Sequence, residues 1–118
     1  MALALLSEQE VITLQMQQVR YFLALCEELN FTRTARLCGV SQPSLTTAIR
    51  ALERELGGPL FHRKPSIALT GLGRRMRPYL DEIARNADDA REAARTLTPH
   101  PDDRSGRHAV DNLEHPSN

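Results

Sequence analysis

Apolar residues recur at helical intervals in four segments of the chain, and short polar turns separate the segments. In the first segment, residues 16–29, the apolar positions follow the spacing of one helix face. They are Val19, Phe22, Leu23, Cys26 and Leu29. We therefore predict a first core helix that begins at Met16, and we assign residues 1–15 to an N-terminal extension.

The next stretch, residues 31–50, reads FTRTARLCGVSQPSLTTAIR and is the most informative part of the chain. Asn30 can cap a helix by accepting a backbone N–H, and Gly39 can end that helix because glycine tolerates a positive φ. The short helix between them offers Phe31, Ala35 and Cys38 to a core. A second helix follows a Gly-Val-Ser turn, so the stretch is predicted to be a helix-turn-helix.

The second helix of this motif has a narrow apolar stripe. Ser41 can cap it, and Pro43 in its first turn removes an N–H that would have no partner within the helix. At 100° per residue the apolar stripe contains Leu45, Ile49, Leu52 and Leu56. The opposite side and the N-terminal tip hold Gln42, Pro43, Thr46, Thr47, Arg50 and Arg54. Residues 57–59, Gly-Gly-Pro, end the helix.

Residues 60–69 contain two short apolar pieces around a polar loop, 62–66, and predict a small β-hairpin beside the helix-turn-helix. Thr70 can then cap a long helix that runs to about Leu97. Its apolar positions alternate between spacings of four and three, which is typical of a seam between paired helices. They are Leu72, Met76, Leu80, Ile83, Ala87, Ala90, Ala94 and Leu97.

Such a helix is about 40 Å long, more than a three-helix core can cover, so we expect a second copy of the chain to pair with it. Residues 98–118 are polar and rich in proline, and are predicted to be disordered. The predicted fold is mainly α: a winged helix-turn-helix, made of a three-helix core and a hairpin wing in residues 16–69, followed by a dimerisation helix in residues 70–97.

The distribution of charge supports a nucleic-acid partner, although the net charge of the 118 residues is zero. Residues 16–75 contain nine basic and four acidic residues, a local net charge of +5. Because phosphate neutralisation depends on local charge, a basic module with acidic flanks is compatible with DNA binding. No apolar run approaches the roughly 20 residues of a membrane span, and a cytoplasmic protein is expected.

The chemistry of the polar face suits readout in the major groove. Gln42 can pair with adenine, Arg50 can reach guanine or phosphate, and the hydroxyl residues can reach either. We expect Thr32 and Arg33 to hold phosphate at a helix N-terminus, and Arg63 and Lys64 to extend from the wing to the DNA backbone. Each of these residues could instead belong to an ordinary solvated surface.

Other chemistry finds little support in the sequence. Cys26 and Cys38 lie among apolar residues and are expected to be small buried side chains. The four histidines have neither metal-ligand spacing nor cysteine neighbours, so neither a metal nor a cofactor is predicted. No carboxylate pair, nucleophile set or phosphate-binding loop indicates an enzyme.

Many positions at constant spacing carry a family resemblance over residues 16–75. They are Ser41-Gln42-Pro43-Ser44-Leu45-Thr46, Ile49, Leu52-Glu53, Leu56-Gly57, Leu60-Phe61, Arg63, Leu69-Thr70 and Gly73. With these residues the chain resembles the DNA-binding domain of LysR-type transcriptional regulators. The resemblance implies a winged helix-turn-helix on a linker helix that pairs two subunits, binding an interrupted inverted repeat in a promoter.

The resemblance also implies roles for individual residues. Gln42, Pro43, Thr46 and Thr47 would be the main readers in the groove, where members often have Ser and Arg in place of the two threonines. The full predicted DNA-binding set is Thr32, Arg33, Ser41, Gln42, Pro43, Ser44, Thr46, Thr47, Arg50, Arg63 and Lys64. Members normally continue into a large effector-binding region, whereas this chain ends in a polar tail, so we expect no small-molecule effector site in it.

Two functions are compatible with these features. The first is a homodimeric, sequence-specific DNA-binding regulator. The second is an interaction protein that pairs its linker helix with full-length relatives and modulates them, with DNA contact secondary. Alternatively, the chain is a truncated gene product.

Overall fold

The computed structural model describes residues 13–97. Four helices and two short strands follow one another along this part of the chain: α1 (Met16–Glu28), α2 (Phe31–Cys38), α3 (Gln42–Leu56), β1 (Phe61–His62), β2 (Ala68–Leu69) and α4 (Gly71–Leu97). The predicted mainly α winged helix-turn-helix with a long C-terminal helix is confirmed. The predictions for residues 1–12 and for the tail 98–118 lie outside the described residues.

Helices α1, α2 and α3 pack against one another around a single apolar core. The predicted stripe of α3 supplies three fully buried side chains, while Leu56 at its end is half-buried. The buried apolar side chains from the three helices are Val19, Phe22, Leu25, Cys26, Ala35, Leu45, Ile49 and Leu52. Phe31 and Cys38, both predicted to face the core, are half-buried.

The helix ends follow the predicted caps. The Asn30 Oδ1 atom accepts the backbone N–H of Arg33 at 2.7 Å, and the Ser41 Oγ atom accepts that of Ser44 at 3.2 Å. Gly39 ends α2 with a φ of 72°, in the left-handed region that costs glycine little. Local sequence signals therefore determine where both helices of the helix-turn-helix begin and where α2 ends.

The prediction that Leu29 belongs to the core is wrong. Helix α1 ends at Glu28, and Leu29 is its C-cap, with a φ of 49° and 42% of its surface exposed. Because the chain leaves the helix there, the helical spacing no longer determines where the side chain points. Leu25, one turn earlier, is fully buried instead.

The hairpin wing is anchored to the core through its first strand. Strands β1 and β2 pair antiparallel, with Phe61 opposite Leu69 and His62 opposite Ala68. The Phe61 ring is buried with its centroid 5.5 Å from that of Phe22. The wing is therefore fastened to α1 by an aromatic contact of the kind that adds to apolar burial.

The start of α4 is fastened to the same body by Thr70 and Gly73. The Thr70 hydroxyl donates to the carbonyl of Pro59 at 2.7 Å and accepts the backbone N–H of Gly73 at 2.9 Å, which confirms the predicted cap. A Cβ atom at Gly73 would overlap the carbonyl oxygen of Leu60, so only glycine allows this approach. Leu80, one of the predicted seam residues, is 98% buried within the single chain.

Among residues 13–97, those up to Glu82 and those from Ile83 belong to two compact units. In the second unit, the described residues continue α4 to Leu97 and are mostly exposed, with Ala84 buried and Ala87 half-buried. An ion pair between Arg95 and Glu92 joins successive turns there. Across residues 13–97 no helix is both long and apolar enough to cross a membrane.

Candidate nucleic-acid interface

Helix α3 exposes a continuous polar surface from its first residue. Gln42, Pro43, Ser44 and Thr47 are exposed, Thr46 is half-buried, and Arg50 is exposed one turn further along. Since the apolar stripe of α3 is buried, this polar surface is the side that an external partner can reach. An α-helix of this kind fits the major groove of B-DNA, where polar side chains can meet base edges.

The first residue of α3 is linked to the second residue of α2. The Thr32 hydroxyl donates to the Gln42 Oε1 atom at 3.0 Å, and both residues are exposed. The structure thus brings together two residues of the predicted DNA-binding set that are ten positions apart in sequence. Their hydrogen bond lies at the N-terminal end of the α3 surface.

Ser41 and Ser44 form a second pair at the same end of α3. In addition to capping the helix, the Ser41 hydroxyl donates to the Ser44 Oγ atom at 3.0 Å. The Ser41 hydroxyl therefore uses both its proton and an acceptor lone pair in hydrogen bonds within the protein. The Ser44 hydroxyl keeps its own proton, which can be donated to a phosphate or a base.

The predicted cations of the two helices differ in how they are held. Arg50 has no ion-pair or hydrogen-bond partner among residues 13–97, so its guanidinium is available to an anionic ligand. Arg33 lies 3.4 Å from the Glu28 carboxylate, and both side chains are open to solvent. Because exposed ion pairs contribute about 0–1 kcal/mol, the Glu28 contact would not hold Arg33 strongly against a phosphate.

The two predicted wing cations lie in different surroundings. Lys64 is exposed in the turn between β1 and β2. Arg63 instead folds onto the body, with its guanidinium carbon 5.2 Å from the centroid of the Phe31 ring and its Nη1 atom 3.5 Å from the Glu53 carboxylate. Lys64 is thus open to a partner outside the chain, whereas Arg63 holds the wing against α2 and α3.

Glu53 is a positioning residue that the sequence did not reveal. Its Oε2 atom accepts the backbone N–H of Leu60 at 2.8 Å, and only 13% of its side chain is exposed. This carboxylate therefore ties α3 to the segment that leads into the wing. Two signals were present in the sequence: Glu53 is among the residues that carry the family resemblance, and on the helix it lies on the same side as Gln42 and Thr46.

Both cysteines are free thiols with raised pKa values. Burial raises the pKa of the Cys26 thiol to about 11, with the nearby Arg77 guanidinium opposing the shift, so the side chain stays protonated. Burial also raises the pKa of the Cys38 thiol. Within residues 13–97 no three His, Cys, Asp or Glu side chains lie close enough to hold a metal ion.

A capped helix with an exposed polar surface, braced by a second helix and a basic wing, defines a winged helix-turn-helix DNA-binding protein. The family model for "Bacterial regulatory helix-turn-helix protein, lysR family" matches residues 16–74. The chain belongs to this LysR family, whose members are transcriptional regulators.

Individual relatives agree with this assignment. The HTH-type transcriptional regulator IlvR of Caulobacter vibrioides is 41% identical over 85 residues, covering 71% of this chain and 29% of IlvR. BudR of Klebsiella aerogenes is 39% identical over 85 residues, covering 71% of this chain and 59% of BudR. The chain therefore matches only part of the length of these relatives.

Solved structures give the same fold. The BenM DBD in its benA site 1 DNA complex superposes with a TM-score of 0.67 at 29% identity, covering 72% of this chain and all of that one. Vibrio fischeri DarR, solved in complex with DNA, has a TM-score of 0.67 at 28% identity and covers 70% of this chain and 28% of its own. The chain is thus similar to proteins seen bound to DNA.

Proposed function

We propose that this chain is a sequence-specific transcriptional regulator that binds an interrupted inverted repeat as a homodimer. The observation that carries the proposal is the exposed polar surface of α3. The apolar stripe on the other side of this helix is already buried in the core. Gln42, Thr46, Thr47 and Arg50 would meet base edges, while Ser44, Arg33 and Lys64 would contact the phosphate backbone. A protein acting on the bacterial chromosome in this way would work in the cytoplasm.

The dimeric part of the proposal rests on the second half of α4. Ile83, Ala90, Ala94 and Leu97 follow a helical stripe and are all exposed in the single chain. An apolar stripe left open along a helix is normally covered by a partner, and small alanine side chains let two helices approach closely. A second copy would cover the stripe and place two α3 surfaces on two half-sites.

In vitro selection from random duplex DNA, using the purified 118-residue chain and no added small molecule, tests this proposal. We expect enrichment of two inverted half-sites separated by a constant spacer. A pool that gains no common sequence after several rounds would contradict DNA reading by this chain. Enrichment of a single unrepeated half-site would contradict the homodimer.

A second function is favoured by the same exposed stripe. The chain could pair through residues 83–97 with a longer relative and modulate it, so that DNA binding by the chain alone is secondary. Selected duplex bound by the chain on its own supports the first function. Binding that arises only when a full-length LysR-family protein is mixed in supports the second.

A further inference from the structure

The hydrogen bond between Thr32 and Gln42 assigns the hydroxyl of Thr32 to the protein rather than to DNA. A threonine hydroxyl has one proton, and here that proton is donated to the Gln42 Oε1 atom at 3.0 Å. A phosphate oxygen can only accept hydrogen bonds. Thr32 therefore cannot serve as a phosphate ligand through its hydroxyl while this bond is made.

The same bond determines how the Gln42 amide is presented. With one lone pair of Oε1 occupied by Thr32, the second lone pair and both protons of Nε2 remain for an external partner. The Hoogsteen edge of adenine needs this set, because its N6 group donates and its N7 atom accepts.

An unanchored glutamine would have to be ordered when it binds a base. Its side chain is long and flexible, and restricting it costs conformational entropy. An anchor already present in the free protein reduces this cost and holds the Gln42 side chain near the position where it would meet a base. The exposure of both residues leaves the pair accessible to DNA.

We propose that Thr32 is a specificity-determining positioning residue, which anchors the Gln42 amide and leaves one Oε1 lone pair and the Nε2 protons free to read adenine. The inference rests on the proposed DNA-binding function. It differs from the phosphate role that the sequence suggested, because loss of the Thr32 hydroxyl should alter discrimination between bases rather than affinity for every duplex.

The test uses Thr32→Val, which keeps the shape of the side chain and removes the hydroxyl. Thr32→Ser keeps the hydroxyl and should behave as the wild type. Thr34→Val is a matched control in the same helix, since Thr34 is fully buried and its Oγ1 atom has no hydrogen-bond partner. Circular dichroism melts should show that all three variants are folded.

Binding is measured by fluorescence anisotropy on the selected duplex and on three duplexes that carry each other base pair at the position where Gln42→Ala loses discrimination. Thr32→Val should lower the preference for adenine at that position by about three- to tenfold, the value of one hydrogen bond. Adding Thr32→Val to Gln42→Ala should cause no further loss. Thr34→Val should keep the wild-type preference.

Three results would overturn the inference. They are an equal loss of affinity on all four duplexes, an unchanged preference in Thr32→Val, and a Thr32→Ser variant that behaves like Thr32→Val. In each case the wild type still binds its selected duplex, so the proposed function survives. A wild type that binds no duplex would remove the proposed function itself.

A measurement on the free protein tests the Thr32 anchor independently of the proposed DNA-binding function. The side-chain NH2 group of Gln42 can be observed by 15N NMR relaxation without any DNA. In the wild type and in Thr32→Ser we expect an ordered amide, and in Thr32→Val a more mobile one. Equal mobility in the wild type and Thr32→Val would contradict the anchoring role, whatever the DNA experiments show.

Discussion

Helices α3 and α4 both carry an apolar stripe, but they leave opposite sides open to a partner. In α3 the stripe is buried in the core, and the exposed side is polar and basic. Over residues 83–97 of α4 the stripe itself is largely exposed, with Leu97 at 53%. The contrast fits the two partners proposed above: an anionic, hydrogen-bonding ligand for α3 and an apolar helix for the end of α4.

A carboxylate placed in each of the two apolar stripes should give the largest difference in stability between α3 and the end of α4. Ile49→Asp buries a carboxylate without a partner in the core of the three helices, and we expect a loss of at least about 4 kcal/mol in the free energy of unfolding. Ala94→Asp, on exposed α4, should cost a single chain less than about 1 kcal/mol. Chemical denaturation followed by circular dichroism measures both.

Similar losses in the two variants would show that residues 83–97 are as deeply packed as the core. Ala94→Asp should instead act on association, because the carboxylate would lie in the proposed seam between two copies.

Substitutions at packed positions at the beginning of α4 should lower folding stability, as substitutions in the buried stripe of α3 do. Substitutions at the end of α4 should have little such effect. Gly73→Ala places a Cβ atom against the carbonyl oxygen of Leu60, and because backbone must move, we expect a cost of about 3 kcal/mol. Gly71→Ala is the matched control two residues earlier, where a Cβ would meet no atom within 4 Å. It should be neutral or stabilise the helix by up to about 1 kcal/mol. Equal melting temperatures for the two variants would refute the close contact.

Substitutions on the polar side of α3 should lower DNA affinity and leave folding stability unchanged. Arg50→Ala should weaken binding to the selected duplex by about 1 to 3 kcal/mol if Arg50 makes a bidentate base contact. Arg54→Ala is the control, since Arg54 is exposed on the same helix between Glu53 and Glu55 and is expected to be solvated. Anisotropy titrations in which the two variants lose equal affinity would place the reading surface elsewhere.

Local signals predicted much of this fold. The caps at Asn30, Ser41 and Thr70 and the helix end at Gly39 each depend on a few neighbouring residues, so the sequence alone was sufficient. Leu29 was assigned wrongly because helical spacing says nothing about a residue that lies just beyond the helix end. Leu25 was missed for a different reason: it lies within the helix, but one narrow apolar stripe was chosen where the helix buries a broader face.

Long-range contacts could not be predicted in this way. The contacts of Arg63 with Phe31 and Glu53, which are 32 and 10 positions away, were not predicted, and its contact with DNA stays a prediction. The seam of α4 shows the same limit, because the alternation of fours and threes runs through both Leu80 and Ala90. Only the fold shows that Leu80 is covered by its own chain while Ala90 remains open.

The central claim is that two copies, joined through residues 83–97, read DNA with two α3 surfaces. The most direct test is the stoichiometry on the selected inverted repeat, measured by analytical ultracentrifugation for the wild type and for Ile83→Glu combined with Ala87→Glu. Thr96→Glu, which adds charge on another side of α4, is the control. We predict two chains per duplex for the wild type and the control, and a monomer with weakened repeat binding for the double variant. A double variant that remains dimeric, or a wild type that saturates the repeat with one chain, would contradict the account.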